Sequence, residues 1–121
     1  RRRQGAALVT RRPARLPGRG EIWLAALDPT IGSAIQKTRP CVVVSPPEMN
    51  DHLRTIVVAP MTTGSHPAPF RIPIVFQRKS GLILLDQVRT LDRLRLVKRL
   101  GVVKPETLAA VLGALQAMFA P

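Results

Sequence analysis

Apolar residues in this chain gather into short runs, each cut off by proline, glycine or a polar cluster. Glu21 to Leu27 (EIWLAAL) is one such run, with Trp23 as its largest side chain. Residues 40–45 hold another, in which Cys41 to Val44 are apolar without a break. Short runs rich in β-branched residues and bounded by turn signals predict strands. An unbroken apolar run fits a strand buried on both faces. Pro40 fixes its own φ and biases Arg39 toward extended geometry, so the guanidinium of Arg39 enters this strand in a defined orientation. Arg54 to Ala59 predicts a third strand, closed by Pro60. Phe70 to Phe76 alternates, but Pro73 cannot donate to a ladder, which assigns this run to a sheet edge. Gln77 to Ser80 reads as a turn, Gly81 to Leu85 as a strand, Val88 to Leu91 as a short strand, and Leu94 to Val103 as at least one more. Glu48 to His52 reads as a connection, and residues 28–38 and 61–69 as loops rich in turn formers.

The pattern changes period once. After Pro105, acceptable in a first helical turn, and Glu106, favoured there by the helix dipole, Leu108, Val111, Leu112, Leu115, Met118 and Phe119 recur at three- and four-residue spacing. This predicts a C-terminal amphipathic helix that covers the core. Many short strands followed by one helix predict an α+β, mostly β fold: a small, curled, antiparallel barrel with that helix packed on it. At 121 residues this is one domain.

Charge divides the chain. Seven of the nineteen Lys and Arg residues fall in residues 1–19, where no acid occurs, leaving twelve against seven Asp and Glu in the remainder. Residues 1–18 therefore read as a basic, disordered tail, and 19–121 as the folded domain. A moderately basic domain points to a polyanionic partner. The aromatic content of 3% argues against a stacking platform for single strands. One cysteine, Cys41, excludes an internal disulfide and a multi-cysteine metal site, and it reads as a small buried hydrophobe. His52 and His66 are the only histidines, so no metal-ligand cluster is expected. No apolar run reaches the length of a membrane span.

Five segments stand in order along the chain: Arg19-Gly20-Glu21-Ile22-Trp23, Leu27-Asp28-Pro29-Thr30-Ile31-Gly32-Ser33, Lys37-Thr38-Arg39-Pro40, Val57-Val58-Ala59-Pro60-Met61-Thr62-Thr63, and Leu85-Asp86-Gln87-Val88-Arg89-Thr90. Together they resemble the MazF/PemK (Kid-like) family of type II toxins, over about residues 18–120. The resemblance implies an SH3-like barrel, a homodimer, and a cytoplasmic, sequence-specific endoribonuclease that cuts single-stranded RNA without metal or other cofactor. It also implies a cognate antitoxin with an acidic, partly disordered segment that competes with RNA.

By motif, Arg39 and Thr62 match the family's catalytic Arg and Thr. Without the resemblance, Arg39 is a surface residue before a core strand, and Thr62 a turn residue bonding its own backbone. Asp86 matches a position tied to the active site in some relatives, or anchors Arg71 or Arg89 in an ion pair. His66 is placed to shuttle a proton, or is a solvated loop histidine. Ser33, Gln36, Lys37, Thr38 and Thr63 line the loops expected to hold RNA, and Arg71, Arg78, Lys79 and Arg89 are candidates for phosphate contacts. One departure stands out: Ala34 occupies a place where the family very often has Glu. That leaves two other readings, a weakened or silent member that binds RNA and antitoxin, and a gyrase-directed toxin of the related CcdB type.

Overall fold

Seven strands form one antiparallel sheet in this computed structural model, which describes residues 16–27 and 37–121. The expected tail through residue 15 and most of the first long loop lie outside the described residues, and with them Ser33, Ala34 and Gln36. The strands are β1 (Glu21–Ala26), β2 (Thr38–Val43), β3 (Thr55–Thr62), β4 (Arg71–Phe76), β5 (Lys79–Leu84), β6 (Arg89–Asp92) and β7 (Leu96–Val102). Their order is β4-β5-β3-β2-β1-β7, with β6 also paired to β3. Helix α1 (Pro47–Asn50) is a single turn, and α2 (Pro105–Met118) is the C-terminal helix. The expected class holds: mostly β, a curled antiparallel half-barrel with one terminal helix packed on it.

β2 is buried on both faces, as its unbroken apolar run predicts. Val42 and Val44 join Ile22, Ala59, Met61, Ile83, Leu85 and Val111 in one core layer, under α2. Cys41 and Val43 join Trp23, Ala25, Ile56, Val58, Leu91 and Leu96 in the other. Alternating side chains of one strand thus feed two cores, and neither face can afford a polar residue.

Three expectations are corrected. Pro60 does not close its strand. β3 pairs with β6 over Thr55–Val58 and with β5 over Met61 and Thr62, so Pro60 falls where the strand changes partners and its missing N–H breaks neither ladder. The strand therefore runs on to Thr62. Residues 77–80 are not all turn: β4 and β5 form a hairpin whose turn is Gln77-Arg78 alone, and Lys79 and Ser80 already pair with Phe76 and Val75. The connection after β2 contains α1, started by Pro47 at its first position and closed by a buried exchange. Asn50, wholly buried, donates to the Ser45 carbonyl at 2.8 Å and accepts from the Ser45 hydroxyl at 2.6 Å.

β4 is a terminal strand, so Pro73, opposite Leu82, sits at an edge as expected. In α2 only Val111 is fully buried, with Leu108, Ala114 and Leu115 packed beside it, while Met118 and Phe119 are exposed. The apolar stripe outruns the surface that it covers.

Candidate active site at the ends of β2 and β3

Cys41, Val42 and Val43 of β2 face Pro60, Ala59 and Val58 of β3. The pairing of β2 with β3 stops there; beyond it Arg39 pairs with Ala25 of β1 and Thr62 with Leu82 of β5. Two clefts meet at this point, and both are lined by Arg39 and Thr62. The first, of about 340 Å³, has an apolar floor of Met61, Ile74 and Phe76 and a polar rim that includes Thr38, Thr63, Gln77 and Lys79. The second, of about 400 Å³, is more polar and runs past Gly64, Ser65, Gln87 and Arg89.

Local contacts hold Thr62 in place. Its hydroxyl oxygen accepts from the backbone N–H of Gly64 at 3.3 Å. That is the turn bond expected of such a threonine, and it leaves the hydroxyl proton free to donate outward. Across the β3–β5 pairing, Gly81 lies so close that a Cβ there would stand 2.7 Å from the Thr62 carbonyl oxygen. Only glycine lets the two backbones approach in this way.

The loop after Thr62 is fixed from β4. Arg71 donates to Ser65 Oγ at 2.6 Å and to the His66 carbonyl at 3.1 Å, and through Nε and Nη2 to both carboxylate oxygens of Asp86 at 3.2 and 3.0 Å. The hydrogen bond from Arg71 holds the Asp86 carboxyl below its ordinary range. Of the two partners considered for Asp86, the geometry selects Arg71. Arg89 instead lines the second cleft with Arg39. Both guanidiniums act on Cys41, but burial dominates and pushes its thiol up to about 12. Cys41 is thus a protonated core side chain, not a nucleophile.

The structure therefore gathers Arg39, Thr62, Thr38, Thr63, Lys79 and Arg89 around two adjoining clefts. Asp86, Arg71, Arg78, Lys37 and the His66 side chain do not line them. Gln77, Phe76, Met61 and Gln87 do, although the sequence offered them only as turn, edge-strand, loop and motif residues, not by name as site residues. Only the hairpin register reveals them. Among the described residues, no three His, Cys, Asp or Glu side chains gather as a metal site, and no helix is long and apolar enough to cross a membrane.

Comparison with known proteins bears on the family and the fold. The family model of PemK-like, MazF-like toxins of type II toxin–antitoxin systems matches residues 18–119. The chain is 42% identical over 103 residues to the endoribonuclease PemK of Escherichia coli, covering 80% of this chain and 77% of that one. It is 34% identical over 97 residues to the endoribonuclease toxin MazF of E. coli K12, covering 79% and 87%. Its fold matches crystalline MazF from Deinococcus radiodurans with a TM-score of 0.71 at 28% identity, over 85% of this chain and 96% of that one. It also matches a mycobacterial endoribonuclease in complex with its cognate antitoxin, with a TM-score of 0.72 at 26% identity, over 87% and 97%. A half-barrel with this order of motifs, matched along nearly its whole folded length, makes the chain a member of the PemK-like, MazF-like family of type II toxins.

Proposed function

We propose that this protein is a ribonuclease toxin that cuts single-stranded RNA at specific sequences, without a metal ion, by attack of a 2′-hydroxyl on the adjacent phosphorus. The observation that carries this reading is that Arg39 and Thr62, from the ends of two neighbouring strands, line both clefts at once. In the reaction the 2′-oxygen loses its proton and bonds to phosphorus. The P–O5′ bond breaks and the 5′-oxygen takes up a proton, leaving a 2′,3′-cyclic phosphate. The Arg39 guanidinium, a fork of fixed donors, meets the charge that builds on the phosphoryl oxygens and assists the leaving oxygen. The Thr62 hydroxyl, held by Gly64, donates its proton to a second phosphoryl oxygen and fixes the scissile group. Arg89 and Lys79, one beside each cleft, attract the flanking phosphates. Thr38 and Thr63 stand as walls.

The protein acts in the cytoplasm as a homodimer, and an acidic, partly disordered antitoxin segment silences it by taking the groove that RNA would occupy. The family and the antitoxin-bound fold relative support this.

Incubation with a long single-stranded RNA in EDTA tests the reading. Discrete fragments ending in cyclic phosphate are expected, and Arg39→Ala should lower cleavage by about 10²–10³-fold, as loss of one transition-state donor does. Intact RNA with wild-type protein overturns it, and gyrase-dependent DNA breaks would then favour the gyrase-directed reading. Ala34→Glu should raise the cutting rate if the missing carboxylate limits it. A folded variant with unchanged rate would remove Ala34 from the mechanism.

A further inference from the structure

The first cleft does not end at the catalytic pair. It extends along the β4–β5 hairpin to a turn of unusual composition. Gln77 and Arg78 both take left-handed backbone conformations, with φ of 51° and 65°. Two-residue hairpin turns of this hand are the province of Asn-Gly and Gly-containing pairs, because a Cβ is strained there. Here neither residue is glycine or asparagine. Strain kept at a cleft is a reason to ask what the side chain does. Gln77 lines the cleft with an exposed side chain, and no hydrogen bond among the described residues occupies its amide. Beneath it lies the apolar floor of Met61, Ile74 and Phe76, and about 340 Å³ of space, the low end of the range for a small-ligand pocket. Apolar side chains with one free amide beside them have the chemistry of a site for a single nucleobase.

Resting on the ribonuclease reading above, we propose that this cleft takes the base next to the scissile phosphate and that Gln77 reads its edge, preferring adenine. An amide carries one donor group and one acceptor, matching the N7 acceptor and N6 donor of adenine. The base face lies on Met61, Ile74 and Phe76, in the way unstacked RNA bases lie on apolar platforms. Gln77 is then a specificity-determining residue, and Arg39 and Thr62 remain the catalytic ones.

The test compares wild-type protein with Gln77→Gly and Gln77→Glu on a pool of random single-stranded RNA, with every cut site sequenced. Glycine suits a left-handed position, so the first variant should fold at least as well as the parent. Wild-type cuts should show adenine at one position beside the break. Gln77→Gly should flatten that position alone and lower cleavage of the preferred RNA by about tenfold to a hundredfold, the effect of one two-point base contact. Gln77→Glu, an acceptor only, should move the preference toward cytosine. Unchanged preference at every position in both variants, or an equal loss on all RNAs, overturns the proposal. Should wild-type protein cut no RNA, the ribonuclease reading fails separately. The pocket is then judged by affinity for short 2′-deoxy oligonucleotides carrying each base. Adenine selectivity lost in Gln77→Gly supports the base site, and equal affinities in parent and variant sink it.

Discussion

Gly81 illustrates how one missing Cβ sets the position of Thr62. With the Thr62 carbonyl only 2.7 Å from where that atom would be, Gly81→Ala must push β3 and β5 apart at Thr62. A displacement of that order near reacting atoms is expected to lower cleavage by about 10²-fold. Gly113, in the middle of α2, has open space at the same test, so Gly113→Ala should leave cleavage unchanged and stabilise the helix by about 1 kcal/mol. Parallel melting curves and cleavage assays check both, and equal activity in the two variants would remove Gly81 as a positioning residue. Arg39 and Thr62 were legible in the sequence, as motif residues flanking prolines. Gly81 was not, because a close approach between two strands exists only once their pairing is known.

At the scale of elements, the hairpin and the loop after β3 depend on each other through Arg71. It spans from β4 to Ser65 and His66 on one side and to Asp86, in the short 3-10 turn after β5, on the other. Exposed ion pairs contribute little to global stability, roughly 0–1 kcal/mol, so Arg71→Ala should hardly change the melting temperature. It should instead speed amide hydrogen exchange in residues 64–68 and lower cleavage by about tenfold through the turnover rate, since that loop carries the Gly64 N–H on which Thr62 rests. Unchanged exchange in that loop would show that Arg71 is ornamental there. The alternation in β4 and the 3.6-residue period in α2 were both visible along the chain. Pro60 and the extent of the turn after β4 misled the reading, since local propensity takes proline as a stop and does not show that the polar Lys79 and Ser80 already pair across the hairpin. Tertiary pairing overrode both.

For the whole molecule, one carboxylate ties the turn before β1 to the neighbouring edge strand β7. Glu21 accepts from the Gly18 N–H at 2.8 Å, the Trp23 indole at 3.0 Å and Arg99 of β7 at 3.1 Å. Burial alone would raise its pKa, but these three donors outweigh it and hold the carboxyl below 4.5. A carboxyl depressed on folding stabilises the native state fully above its unfolded value and loses that contribution as pH falls through the folded value. The melting temperature should thus fall as pH drops below about 4.5. Glu21→Gln should be less stable than the parent at neutral pH and show a shallower acid decline, with Asp86 accounting for part of what remains. Parallel acid profiles for the two proteins would show that Glu21 is not the tie. The Glu21-Ile22-Trp23 motif was readable in the sequence, whereas Arg99, 78 positions away, was not.

The sequence by itself determined the strand count to within an element, the terminal helix, the double burial of β2, and the family. Each of these follows from local period, turn chemistry or motif order, which a chain displays in one dimension. Only the tertiary structure decided that β3 runs through Pro60, that Arg39 and Thr62 both line two clefts, that Asp86 belongs to Arg71, and that Gln77 lines a cleft with Met61, Ile74 and Phe76. Those facts depend on register, and register is set by which strands find each other across long stretches of chain, since a slip of one residue would turn every side chain to the opposite face.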